Sequence, residues 1–122
     1  MNVLLGIGGS DDSLRALEET IERAQAAGDD LTVAILENPE SERETRDIET
    51  RVFEALETAE FAAGVRHLSG DPGSRLVDLA EREEFDQIVL GGGQRSPMGK
   101  IKLGHIAEFV LLNSPVSVKL VR

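Results

Sequence analysis

What most constrains this chain is a regular alternation of short apolar runs with longer segments whose apolar residues recur every three or four positions. A run of strand length at 2–7 (NVLLGI) stops at Gly8-Gly9-Ser10, and Asp11 and Asp12 come next, a group suited to a turn and a helix N-cap. Leu14, Leu17, Ile21 and Ala24 then mark one face of a helix over about 12–27, with Glu18, Glu19 and Glu22 largely off that stripe and Gly28 as its stop. Residues 31–36 (LTVAIL) read as a second buried strand. Asn38-Pro39 breaks the chain ahead of a charged helix over about 41–63, whose inward stripe is Ile48, Val52, Ala55, Leu56 and Ala59 and whose end is Gly64. A third strand at 65–69, interrupted by Arg66 and His67, leads to Asp71-Pro72-Gly73-Ser74, which opens a helix carrying Leu76, Val77, Leu79 and Ala80. Residues 85–90 (FDQIVL) form a fourth strand that runs into Gly91-Gly92-Gly93. After a polar, basic loop, 104–113 read as a helix with Ile106, Phe109 and Val110 inward, and 115–121 (PVSVKLV) as a fifth strand.

Strands alternating with helices of this length imply right-handed crossovers and a parallel sheet covered on both faces. The expected fold class is therefore α/β, a three-layer α/β/α sandwich around a five-stranded parallel sheet. A length of 122 residues fits a single domain, 1–122, with one core. Hydrophobic residues are 40% of the chain but aromatics only 3%, so the interior is to be built from Leu, Ile, Val and Ala. Without a cysteine, disulfides, thiolate metal sites and thiol nucleophiles are excluded. No apolar run approaches the ~18 residues that span a bilayer, and the opening MNVLLGIGGSDDS lacks a basic n-region. The expectation is a cytoplasmic protein with no membrane partner.

A net charge of −10 argues against a nucleic-acid partner, because phosphate contact needs a basic face. The charge is unevenly spread: residues 1–90 carry 22 of the 23 acids, whereas 91–122 carry only Glu108 against five bases, including all three lysines. Arg without Lys in the acidic part fits a high-salt cytoplasm, a hypothesis of halophilic origin that equal refolding with and without molar salt would count against.

Open α/β sheets bind ligands beyond the carboxyl ends of their strands, where the strand order reverses. The turns after strands one and four, Gly8-Gly9-Ser10 and Gly91-Gly92-Gly93, open onto one crevice if those strands are neighbours. Glycine lets backbone N–H groups approach a phosphate, and a helix start just beyond it adds partial positive charge. Ser10 reads first as a helix cap. The segment GGGQRSPMGKIKLGH holds five glycines and the cations Arg95, Lys100 and Lys102. A loop of this length without structure is uncommon in a small domain and often functional, which points to an anionic ligand or an acidic partner surface. The candidate site is thus Gly9, Ser10, Gly91, Gly93, Arg95, Gly104 and His105. No nucleophile or acid–base set is completed around His105, whose nearest acid, Glu108, lies one helical turn on, so no catalytic residue is assigned. The acidic pairs lack calcium-loop spacing, and no metal ligand is assigned.

Asp86 to Gly91, then Leu103-Gly104-His105-Ile106-Ala107-Glu108, then Ser114-Pro115-Val116-Ser117-Val118 resemble the last third of the universal stress protein family, within the wider adenine-nucleotide α-hydrolase-like group. The opening strand with Gly9-Ser10-Asp11 and the segment Gly70-Asp71-Pro72 match the same family, although the region around 36–45 is shorter than usual. The resemblance implies strand order 3-2-1-4-5 and a homodimer assembled along the last strand. Nucleotide-binding members carry Gly, two residues, Gly, nine residues, Gly, then Ser or Thr. Gly91 and Gly104 keep the outer spacing, but Gln94 stands at the second glycine, His105 at the hydroxyl residue, and Gly8 where binders have an aspartate. The resemblance, with these three departures, implies a non-catalytic stress-response module whose degenerate nucleotide loop takes a small anion or a protein partner. The alternative is an ATP-binding switch or slow nucleotide hydrolase, with ATP as its ligand.

Overall fold

Alternation along the strands builds two cores, one on each face of a parallel sheet. The computed structural model describes residues 1–39, 43–92, 94–95, 101–102 and 104–121. Strand β1 (Asn2–Ile7) pairs in parallel with β2 (Asp30–Leu36) on one side and β4 (Gln87–Gly91) on the other. Strand β3 (Gly64–Leu68) extends the sheet beyond β2. A separate two-stranded antiparallel ribbon comes after β4, β5 (Gln94–Arg95) with β6 (Ile101–Lys102), and β7 (Ser117–Val121) then pairs with β4. The main sheet therefore runs β3-β2-β1-β4-β7, the expected 3-2-1-4-5 order with β7 as fifth strand.

Val3, Leu5, Ile7, Val33, Ile35 and Val89 face α1 (Asp11–Ala27) and α2 (Thr45–Ala59), which contribute Leu14, Leu17, Ile21, Ile48 and Val52 to that core. Leu4, Leu36, Leu68, Ile88 and Leu90 face α3 (Pro72–Arg82) and α4 (His105–Asn113), which supply Leu76, Leu79, Ala107 and Val110. Each fully buried Leu or Ile contributes about 2 kcal/mol against the entropy of ordering the chain.

Four expectations need correction. The charged helix is Thr45–Ala59 and not 41–63, with 40–42 outside the described residues. Its stop is Glu60, held at φ 51°, and not Gly64, which starts β3. The Glu60 N–H donates to Glu57 O and the Phe61 N–H to Leu56 O at 3.0 Å, while Phe61 packs on the core below. That apolar anchor fixes the end of the helix without a glycine. The basic loop is not wholly irregular, because its ends pair as β5 and β6. Phe109 is 37% exposed and not inward, because its ring lies over Gly73 on α3 while Ala107 and Val110 take the core positions. Strand limits at β2, β3, β4 and β7 differ from the sequence reading by one or two residues.

Among the described residues no helix is long and apolar enough to cross a membrane.

Candidate functional site

The chain leaves β1 toward β2 and β3, then returns to β4 on the other side, so the order reverses between β1 and β4. α1 starts just beyond the end of β1. Ser10 is its N-cap, with Oγ accepting the Ser13 N–H at 3.1 Å while the Ser13 hydroxyl donates to Ser10 O at 2.8 Å. Gly9 sits at φ 89°, a left-handed conformation that a side chain would strain.

Gly91 serves the fold directly. A Cβ there would come 2.4 Å from the carbonyl carbon and oxygen of Asp12 and from the Ser13 nitrogen. The first turn of α1 thus rests on the end of β4, and only a residue without a side chain permits that contact.

The turn after β1 is strapped from the β2–α2 connection. Asn38 Nδ2 donates to Gly8 O at 3.1 Å, and the Arg43 guanidinium donates to Gly9 O at 2.6 Å and to Asp11 Oδ1 at 2.5 Å. Sequence reasoning missed both residues. Asn38 read only as a chain breaker before Pro39; the available signal for Arg43 was a cation at the end of a shortened connection.

α4 starts differently from α1 and α3. Ser10 and Asp71 cap those helices with side-chain oxygens, whereas Gly104 supplies no side-chain acceptor to the first turn of α4. Among the described residues, a Cβ at Gly104 would meet nothing within 4 Å. Beside it lies a cleft of about 280 Å³ lined by Asn38, Pro39, Asp71, Pro72, His105 and Ile106, with Gly73 and Phe109 behind. A Cβ on Gly8 would lie 3.4 Å from Asn38 Nδ2 and 3.5 Å from Ile106 Cδ1, ordinary contact distances, so the end of β1 opens on the same crevice. Asp71 accepts the Ser74 N–H at 3.0 Å, and its hydrogen bonds from Ser74, side chain first and backbone second, hold its carboxyl below the usual range.

Of the expected site residues, Gly9, Ser10 and Gly91 cluster around the start of α1, and Gly104 and His105 form the start of α4. Arg95 lies in β5, and Gly93 falls outside the described residues. Among the described residues no group of three His, Asp or Glu could hold a metal ion.

A doubly wound α/β domain with two helix starts at its switch point belongs to a class of folds that bind ligands beyond their strand ends. The family model of the universal stress proteins matches residues 1–122, and the chain belongs to that family. A universal stress protein of Methanothermobacter thermautotrophicus is 42% identical over 53 residues, 43% of this chain and 36% of that protein. The chain thus spans about a third of the length of this curated relative. A universal stress protein solved in complex with cAMP is 25% identical with a TM-score of 0.72, covering 100% of this chain and 97% of its own. The Archaeoglobus fulgidus protein solved with dAMP is 21% identical with a TM-score of 0.62, covering 100% and 98%, a likeness of fold alone.

Proposed function

We propose that this chain is a non-catalytic stress-response module that works as a homodimer and binds an adenine mononucleotide weakly in the crevice between β1 and β4. The observation that carries the reading is the start of α4: an N-cap, Gly104, that brings no side-chain acceptor, has no described atom within 4 Å of where its Cβ would stand, and adjoins a cleft. Such a terminus favours an anion through its backbone N–H groups and its dipole. The residues present fit a phosphate there, and the cleft from Asn38 to Phe109 has the apolar walls that a nucleoside needs. Complexes of family members with cAMP and dAMP support the adenine choice. Binding is weak rather than tight because the His105 ring stands at the first helical position and Gly8 brings no carboxylate to the crevice. A hydrolase reading needs an assembled catalytic set, and the described residues lining the cleft do not include a nucleophile beside a base.

The dimer reading rests on the two edges of the sheet. β3 is fenced by an exposed ion pair, Arg66 with Glu83 at 2.8 Å, and by a polar contact of His67 with Glu49 at 3.3 Å. β7 presents Val118 and Leu120, both half-buried, with Lys119 between them. Among the described residues no ion pair fences β7, and an apolar edge of this kind is a pairing surface. Light scattering at micromolar concentration is expected to give twice the chain mass, and a monomer would refute the dimer. Calorimetry with AMP and with ATP plus magnesium is expected to give saturable, weak binding, and no heat with either would refute the ligand.

A further inference from the structure

The cleft beside α4 holds one group that an anion alone leaves unexplained. Asp71, the N-cap of α3, lines it together with His105 and Ile106, and the residue is exposed. Hydrogen bonds from Ser74 hold its carboxyl below the usual range, so it carries its charge at neutral pH. A fixed negative charge beside a phosphate is unfavourable. One ligand relieves the conflict if its anionic end lies at α4 and its hydrogen-bond donors lie at Asp71.

The two helix starts stand side by side. Gly73 is the second residue of α3 and Phe109 the fifth of α4, and a Cβ on Gly73 would come 2.8 Å from Phe109 Cδ1. Helices in such contact run roughly 8–10 Å apart, axis to axis. Both follow strands of one parallel sheet, so both start at its carboxyl end. The start of α4 and the Asp71 carboxylate therefore face one cleft at a separation that a phosphorylated sugar bridges. An ionised carboxylate offers about four acceptor positions. Ser74 occupies part of that capacity through its hydroxyl and through its N–H, which donates to Oδ2 at 3.0 Å. Among the described residues no other donor reaches Asp71.

We propose that Asp71 accepts the 2′- and 3′-hydroxyls of the ligand's ribose, so that the crevice selects a ribonucleoside 5′-monophosphate over its 2′-deoxy and 3′-deoxy forms. This rests on the reading of the crevice as a mononucleotide site. A vicinal diol presents two donors to one carboxylate, the chemistry by which acidic side chains hold ribose in dinucleotide-binding folds. Adenine is the poorer match for Asp71, because the ring nitrogens beside its 6-amino group are acceptors and oppose a carboxylate. The base fits the apolar walls instead, formed by Pro39, Pro72, Ile106 and Phe109.

The test is titration of the full chain with AMP, 2′-deoxy-AMP, 3′-deoxy-AMP and inosine monophosphate, read by two-dimensional NMR and calorimetry. The parent is expected to bind AMP about fivefold or more tightly than either deoxy form. Asp71→Ser keeps a cap for α3 but is too short to reach the diol. It is expected to bind AMP and the deoxy forms alike, within about twofold. Asp71→Asn, which keeps the cap and one acceptor, is expected to fall between the two. The readout is a ratio within each variant, so a loss of stability that weakens every ligand leaves it unmoved. No binding of AMP by the parent refutes the crevice reading, and this proposal with it. AMP bound by the parent without preference over the deoxy forms, or a preference that survives Asp71→Ser, overturns the role of Asp71 alone. So does a preference for AMP over inosine monophosphate that Asp71→Ser abolishes while the deoxy forms stay disfavoured, which would assign the carboxylate to the base.

Discussion

The α-carbon of Gly91 rests against the peptide joining Asp12 to Ser13, so closely that a Cβ would come 2.4 Å from three backbone atoms. Because those atoms belong to the capped first turn of α1, they cannot swing aside as a side chain can. Gly91→Ala is therefore expected to destabilise the fold by about 3 kcal/mol or more. Gly104→Ala, at a position with no described atom within 4 Å, is expected to cost less than about 1 kcal/mol. Urea denaturation of both variants measures the difference. The two glycines of the family spacing thus separate into one that the fold requires and one that it leaves to the ligand.

Glutamates in the left-handed region lie at the ends of two helices, Glu60 at φ 51° as the C-cap of α2 and Glu84 at φ 54° one residue past the C-cap of α3. In both, the next residue is a phenylalanine whose N–H reaches back to close the helix, Phe61 to Leu56 O and Phe85 to Ala80 O, each at 3.0 Å. Glycine adopts that conformation without the penalty of roughly 1 kcal/mol that a side chain incurs. Glu60→Gly and Glu84→Gly are each expected to raise Tm by about 4 °C, read by calorimetry.

Asp71 bears on the response to acid. Its carboxyl is held below its ordinary value of 3.8 by the hydrogen bonds from Ser74. A carboxylate depressed in the folded state adds stability that is fully present above the unfolded value and is lost as pH falls through the folded one. Asp71→Asn keeps an oxygen acceptor at the cap but cannot titrate. Its Tm is expected to lie below the parent's at neutrality, where the charged cap contributes, and to fall less steeply below pH 3.8, so that the two converge in acid.

The crevice can be completed by substitution. A Cβ at Gly8 meets only ordinary contacts, the nearest being Asn38 Nδ2 at 3.4 Å, so an aspartate has room to start there. Gly8→Asp combined with His105→Ser restores the groups that nucleotide-binding members of the family carry at these positions. The double variant is expected to bind AMP at least about tenfold more tightly by titration calorimetry. Unchanged affinity would mean that these two positions do not limit binding.

Most of the fold was legible because the strands alternate and the helices carry clear stripes, from Leu4 and Leu5 facing opposite cores to Ile48, Val52 and Leu56 on one helix face. Ser10 was legible as a cap from its chemistry alone. The end of α2 was not, because Glu60 adopts a glycine conformation that local sequence disfavours and the tertiary anchoring of Phe61 imposes. Nor was the role of Gly91: the glycine was visible, but the helix that presses on it comes from 79 residues earlier, at Asp12. Asn38 and Arg43 escaped for the same reason, since their partners Gly8, Gly9 and Asp11 lie about 30 residues away. Long-range backbone contacts leave no periodicity in a sequence.

That the uncapped start of α4 and the end of β1 together hold an adenine mononucleotide is tested most directly by two-dimensional NMR of the labelled chain titrated with AMP. Saturable amide shifts are expected at His105, Ile106 and Ala107 together with Gly8, Gly9 and Ser10, at weak affinity. Amides at these positions that stay fixed while AMP reaches millimolar concentration would contradict it.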